Sequence, residues 1–215
     1  MNIVLFGASG MTGHRVVAQG LAAGHQITAF VRDATRCEFE PSPELRIVIG
    51  DVTRDQTAVA ETLQGSDVVI SALGNSGGFA NMRAPTVITD AMHVIAGGMR
   101  KSGVRRLIFI SSLGVGDSID EAPTLLRSVF RTVLRPTFAD KLKAEIFLRD
   151  NDDGIDWTLV YPVLLTNGER TGEYRSGERL VLRGLPKISR ADVADFIVTQ
   201  IDDTRYFGKA VVISN

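Results

Sequence analysis

Asn2-Ile3-Val4-Leu5-Phe6, followed at once by Gly7-Ala8-Ser9-Gly10-Met11-Thr12-Gly13, is the stretch that decides the fold. The first five residues form a short apolar run stopped by a glycine, the pattern of a strand buried on both faces. Met11 to Ala23 then has the composition of a helix, stopped by Gly24. A strand that turns sharply into a helix needs permissive backbone angles. A glycine there also lets a pyrophosphate approach the main chain, and another lets helix and strand pack tightly. The open N–H groups and the dipole at the helix start favour an anion. The spacing is G-x-x-G-x-x-G rather than G-x-G-x-x-G. Its context, after a buried strand and inside a βαβ unit, is the one a dinucleotide-binding turn requires. Gly7, Ser9, Gly10, Met11, Thr12 and Gly13 are therefore candidate cofactor-binding residues.

Outward from this turn, strand and helix alternate. Strands are expected at Gln26 to Val31, Leu45 to Ile49, Val68 to Ile70 and Arg106 to Ile110. Helices are expected at Asp55 to Leu63 and Met82 to Ser102, each stopped by a glycine. Such alternation with short connections implies parallel strands joined by right-handed crossovers. Beyond Ser112 the pattern loosens. Ala122 to Leu134 reads as a helix interrupted at Pro136, and a further helix runs to about Asp150. Asp156 to Tyr161 and Ala210 to Ile213 read as strands, with a helix from Ser189 or Arg190 to about Ile201 between them. The glycine-rich segment 163–188 suggests loops with short strands such as Arg179 to Leu182. The expected fold is α/β, a Rossmann-type doubly wound parallel sheet with a small C-terminal substrate cap. Residues 1–215 form one domain in this reading, with cap elements around 113–140 and 163–188.

Composition narrows the function. The chain has 215 residues, 44% hydrophobic and 23% charged, which excludes a disordered tail protein. Its net charge of −1 provides no global field for nucleic acid or an anionic membrane. One cysteine, Cys37, excludes an internal disulfide framework. No run of 18 apolar residues suggests a membrane span, and the N-terminus lacks a signal-peptide layout. The expected compartment is the cytoplasm. The expected partner is a small molecule rather than nucleic acid or membrane, and no sequence feature sets an oligomeric state.

The end of the second strand bears on which dinucleotide binds. An acidic residue there accepts hydrogen bonds from a ribose 2′-OH, whereas arginine accommodates a 2′-phosphate. Asp33 lies 20 positions after Gly13, but Arg32 stands at the strand end and Arg36 adds a second forked donor. This geometry favours NADP(H) over NAD(H). Asp51 and Val52, after the third strand, are candidates for the adenine, with a turn or cap role for Asp51 as the alternative. Ala72, Leu73 and Gly74, after the fourth strand, should run beside the adenosine ribose, since open α/β sheets bind ligands at carboxyl strand ends.

These segments, with Ser111-Ser112 and Gly154-Ile155-Asp156-Trp157-Thr158-Leu159-Val160-Tyr161-Pro162, resemble an atypical short-chain dehydrogenase/reductase. The nearest subgroup is the NAD(P)H-binding proteins similar to biliverdin-IXβ reductase/flavin reductase and the NmrA-like proteins. The resemblance covers nearly the whole chain. It implies a Rossmann fold and either a reductase or a dinucleotide-binding sensor. It also implies an active-site serine at Ser112, with Ser111 beside it, and a proline, Pro162, against the nicotinamide. Typical members carry Tyr-x-x-x-Lys, with the tyrosine as proton donor. Lys141 occupies the lysine position here, but Thr137 stands four residues before it. A threonine hydroxyl is a far weaker acid than a phenol of pKa about 10. Tyr161, Tyr174 and Tyr206 have no lysine four positions on. Alcohol dehydrogenase chemistry is thus disfavoured, while hydride transfer to a conjugated acceptor, which needs less from the protein, stays open.

The expected function is NADPH-dependent reduction of a flavin, quinone or related conjugated acceptor, in a cleft built from 73–82, 112–140 and 163–185. Ser112, Lys141 and Ser111 are the candidate catalytic residues. The rival is a non-catalytic NADP(H) sensor of NmrA-like type; a sugar-modifying epimerase is discounted for want of the tyrosine. Arg127, Arg131 and Arg135 recur every four residues on one helix face. Arg127 and Arg131 are candidates for an acidic substrate, against the plainer reading of a solvated face paired with Asp120 or Glu121. His14, His25 and His93 lack metal-ligand spacing, and no metal site is expected.

Overall fold

The computed structural model describes residues 1–74, 86–122, 127, 135–151 and 154–215. The apolar run of the opening stretch is β1 (Asn2–Phe6), and the glycine turn leads into α1 (Met11–Ala22). There follow β2 (Gln26–Val31), β3 (Leu45–Ile49), α2 (Gln56–Thr62), β4 (Val68–Ser71), α3 (Val87–Ser102) and β5 (Arg106–Ile110). Next come α4 (Arg135–Asp150), β6 (Asp156–Pro162), β7 (Leu164–Thr166), β8 (Arg175–Gly177), β9 (Lys187–Ser189), α5 (Arg190–Thr199) and β10 (Lys209–Ser214).

Eight strands form one sheet in the order β3-β2-β1-β4-β5-β6-β10-β8, and β7 pairs with β9 in a small parallel ribbon. Every pairing in the large sheet is parallel except β8 against β10. The chain runs outward from β1 to β3 and then crosses back to β4. With right-handed crossovers, that reversal puts helices on both faces and leaves a crevice between β1 and β4. α1 packs against α5, and α3 packs against α2 and α4. The central strands are buried throughout, with Leu5, Phe6, Ile70, Leu107, Ile108 and Phe109 fully enclosed.

The helix expected to run to about Asp150 begins at Arg135, with Pro136 as its second residue, where its missing N–H has no intrahelical partner to lose. Arg179 to Leu182 forms no strand: Val181 is 74% exposed, and the edge strand is β8, where Ser176 pairs with Ile213. Within 163–188, β8 adds an antiparallel edge to the large sheet, and β7 pairs with β9 apart from it. The long helix expected from Met82 is described from Val87; its residues 82–85 lie outside the described residues, as does most of 122–134.

The segment between β7 and β8 is tied down. Asp192 of α5, fully buried, accepts from the N–H groups of Thr171 at 2.7 Å and Gly172 at 2.9 Å and from Ser189 Oγ at 2.8 Å. Ser189 is also the N-cap of α5. No helix among the described residues is long and apolar enough to cross a membrane.

Candidate functional site

The glycines of the turn divide by what surrounds them. Gly7 has φ +85°, and a Cβ there would lie 2.6 Å from the carbonyl oxygen of Ala72. A Cβ on Gly13 would lie 2.2 Å from Gly7 O. The fold itself demands both glycines: one where β1 touches β4, the other where α1 folds back on the turn. Gly10 has ordinary backbone angles and only Gly7 O near its missing Cβ, at 3.3 Å. It is the N-cap of α1, supplies no side-chain cap, and no acidic residue stands in the first helical turn. The first N–H groups of α1 therefore lack a carboxylate from their own helix, which suits an incoming diphosphate. Ser9 and Thr12 are half-buried beside them, and Met11 is 61% exposed. A cleft of about 560 Å³ borders the turn, lined among others by Ser9, Met11, Phe39 and Arg190. His14 stacks on Phe39 at its wall, with ring centroids 4.6 Å apart.

At the end of β2, Arg32 and Arg36 are both exposed. Asp33 is engaged locally. Its Oδ1 accepts from the Thr35 N–H at 2.9 Å and from Thr35 Oγ1 at 2.6 Å, capping a short 3-10 turn. These bonds hold its carboxyl below the ordinary range. Its Oδ1 is thus engaged within the turn, and the two arginines beside it are open to solvent. Cys37 lies behind this turn, and burial pushes its thiol pKa up, away from reactivity.

Asp51 sits in an Asx turn, with Oδ1 accepting from the Thr53 N–H at 3.0 Å and Thr53 Oγ1 at 2.8 Å. The Thr53 backbone bond leads the causes that keep its carboxyl acidic, and Arg32 adds to them. Its own N–H donates to Asp55, and Val52 is buried. Ala72 donates its N–H to Phe6 O at 2.8 Å, which sets the 72–74 segment alongside the glycine turn. Residues 75–85 lie outside the described residues.

The second half of the site stands at the ends of β5 and β6. Lys141, on α4, is 7% exposed, and its Nζ donates to Ser111 O at 2.8 Å and Ser112 Oγ at 3.3 Å. Burial lowers its pKa to about 8, against the opposing pull of Glu145 and Asp140. Ser112 is half-buried. Ser111 is not a cleft residue. It is 2% exposed, and its hydroxyl turns inward to donate to Glu145. Successive residues of an extended strand end point to opposite faces, so only one of the two serines can meet a substrate. Pro162 is buried, and its carbonyl accepts from the Leu113 N–H at 3.1 Å, joining the two strand ends.

Arg127 departs from the substrate-binding expectation. Its Nε donates to Ala122 O at 2.8 Å, a second nitrogen donates to Asp120 O, and a third lies 3.8 Å from the Asp120 carboxylate. The 116–122 turn takes up this guanidinium. Arg131 lies outside the described residues. The tyrosines are also engaged: Tyr161 Oη donates to Glu145, Tyr174 Oη donates to Asp195, and Tyr206 Oη is 3.4 Å from Ser176 Oγ. Thr137, half-buried, precedes Lys141 by one turn of α4. Among the described residues no group of three His, Cys, Asp or Glu side chains could hold a metal ion.

Sequence reasoning missed Asp140 and Glu145. Asp140 caps α3 from α4, and Glu145 holds Ser111 and Tyr161. The one available signal was the i, i+4 spacing of Lys141 and Glu145.

Known proteins show the same organisation. A chloroplastic protein of Arabidopsis thaliana is 31% identical over 173 residues, 79% of this chain, which spans 61% of that protein's length. Reductase pytE of Aspergillus terreus is 25% identical over 256 residues, covering 99% of this chain and 97% of its own. A short-chain dehydrogenase/reductase of Veillonella parvula, solved in complex with NADP, superposes with a TM-score of 0.81 at 19% identity, over 100% of this chain and 94% of that one. That last likeness is one of fold. Residues 7–204 match the family described as NAD(P)H-binding, a span that runs from the glycine turn to beyond α5. The chain thus belongs to the NAD(P)H-binding family, in keeping with its Rossmann-type strand order.

Proposed function

We propose that this protein is an NADPH-dependent reductase that passes a hydride to a flavin, quinone or related conjugated acceptor. The observation that carries the reading is the contact of the Lys141 ammonium with Ser112, 3.3 Å from Nζ to Oγ, in the row of strand ends that begins at the glycine turn. The start of α1 receives the diphosphate, and Arg32 and Arg36 receive the 2′-phosphate. The dinucleotide, when bound, supplies the hydride. Ser112 Oγ donates to the acceptor's carbonyl oxygen or ring nitrogen, orienting it and delivering the proton that accompanies the hydride. Lys141, held by Ser111 O, returns a proton to Ser112. A conjugated acceptor delocalises the added charge, so a phenol of the Tyr-x-x-x-Lys kind is not needed, and Thr137 is tolerated in its place. The description of pytE as a reductase and the NADP complex of the Veillonella protein support this choice of chemistry and cofactor.

The test is to mix purified protein with NADPH and a panel of flavins and quinones and follow the loss of reduced-nicotinamide absorbance. Turnover with at least one acceptor supports the reading. Thr137 also favours a second reading, a dinucleotide sensor without turnover. Tight NADPH binding with no acceptor reduced would select that one.

A further inference from the structure

We propose that Glu145 is the positioning residue of this site: from behind the end of β5 it anchors Ser111, whose carbonyl holds Lys141, and its buried carboxylate stands one turn of α4 from the Lys141 ammonium that meets Ser112. This rests on the reading of Lys141 as the group that handles the proton. Glu145 lies one helical turn beyond Lys141 on α4 and is 2% exposed. Both of its oxygens are engaged: Oε1 accepts from Ser111 Oγ, and Oε2 accepts from Tyr161 Oη at 2.7 Å. The same serine's carbonyl holds Lys141 Nζ at 2.8 Å. Ser111 is thus gripped at its hydroxyl by the carboxylate and at its carbonyl by the ammonium. Its neighbour Ser112 thereby keeps its hydroxyl 3.3 Å from Lys141 Nζ.

Burial pushes Lys141 toward the neutral amine and Glu145 toward the neutral acid, and each opposes the other's neutralisation. Other charged groups surround the pair, and Asp140 adds to the pull of Glu145 on Lys141. On α4 itself, Asp140 is bonded to α3, and Arg149 donates to Tyr161 Oη at 3.2 Å and lies over the Trp157 ring. From β6 comes Tyr161, whose proton burial and Glu145 hold firmly in place. α3 presents His93, which meets Phe147 edge to face. Asp117, Asp120, Glu178 and Arg179 line, with Glu145, a cleft of about 800 Å³ open to solvent, where water screens them. Glu145 is the leading source of the negative field that raises the Lys141 pKa.

The experiment needs no turnover. The chain has five lysines, so ¹³C-lysine labelling gives a spectrum in which Lys141 is assigned by Lys141→Arg. In wild-type protein its midpoint is expected near pH 8. Glu145→Gln keeps the shape and removes the charge, and should lower the Lys141 midpoint by about one pH unit, a tenfold change in protonation. Tyr161→Phe perturbs the same packing but keeps the carboxylate, and should move the midpoint by less than half as much. An unchanged midpoint in Glu145→Gln, or an equal shift in Tyr161→Phe, overturns the proposal. Should Glu145→Gln not fold, the reciprocal measurement replaces it: Lys141→Met must raise the midpoint of the Glu145 carboxyl, and no change overturns the proposal. The expected shift in a protein that reduces no acceptor would contradict the reductase reading alone and leave the Glu145 assignment standing.

Discussion

Asp140 caps a helix to which it does not belong. Its Oδ2 accepts the Ile88 N–H at 2.9 Å, and Oδ1 accepts the Thr89 N–H at 3.0 Å and Thr89 Oγ1 at 2.6 Å. Thr86, the local N-cap of α3, makes no side-chain bond to that helix. The start of α3 is therefore satisfied by a carboxylate from α4, and the next residue of α4 is Lys141. One carboxylate both completes a helix and sets the depth at which the lysine meets Ser112.

Asp140→Ala should accordingly cost stability and site geometry together. Removing a fully buried carboxylate that holds two helix N–H groups is expected to destabilise the protein by about 2–4 kcal/mol. Asp140→Asn, which keeps an acceptor, should lose about half of that. Urea unfolding reads both. A loss below about 0.5 kcal/mol in Asp140→Ala would show the cap to be dispensable.

The glycines of the turn should separate by experiment as they do in space. Gly13→Ala drives a Cβ to 2.2 Å from Gly7 O and should lower stability by more than about 3 kcal/mol. Gly10→Ala needs a shift of only a few tenths of an ångström and should keep stability within about 1 kcal/mol, yet weaken dinucleotide binding about tenfold or more. Calorimetry on the folded variant checks the second effect; unchanged affinity would place the diphosphate elsewhere.

Arg32→Ala is expected to weaken NADPH binding about tenfold and NADH binding about twofold or less, because the guanidinium answers only the extra phosphate. Arg36→Ala should act in the same direction. Equal losses for the two dinucleotides would remove the arginines from the 2′-phosphate.

Lys141 gives the pH dependence its sign. Its pKa is lowered to about 8 in the folded protein, whereas an unfolded lysine sits near 10.4. Between those values the unfolded chain binds the extra proton, so this group's contribution to stability rises with pH across the window and is flat below it. The stability difference between wild type and Lys141→Met should follow that course. Turnover runs the other way, falling as pH rises through about 8 and the ammonium is lost. Ser112→Ala should lower kcat about tenfold with dinucleotide affinity unchanged; a flat pH profile with unaltered Ser112→Ala kinetics would remove the pair from the chemistry.

What the sequence could show follows the range of the forces involved. Asn2 to Gly13 was legible because strand burial, glycine freedom and helix initiation act over a few residues. So were the strands through Ile110, whose neighbours are set by alternation and crossover handedness. Arg32 and Arg36 were legible as a pair, but the capture of Asp33 by Thr35 depends on backbone geometry that composition does not reveal. Asp140 meets Ile88 across 52 positions, and Glu145 meets Ser111 across 34. Those contacts exist only once α4 lies on the sheet. The edge strand β8 was misplaced for the same reason: a strand of three residues takes its meaning from position in the fold rather than from local pattern.

The most direct test of the whole account is calorimetric titration of NADPH and NADH into the purified protein. The account predicts saturable NADPH binding on the order of micromolar, at least about tenfold tighter than NADH and weakened by Gly10→Ala. No heat from either dinucleotide at about millimolar concentration would contradict it.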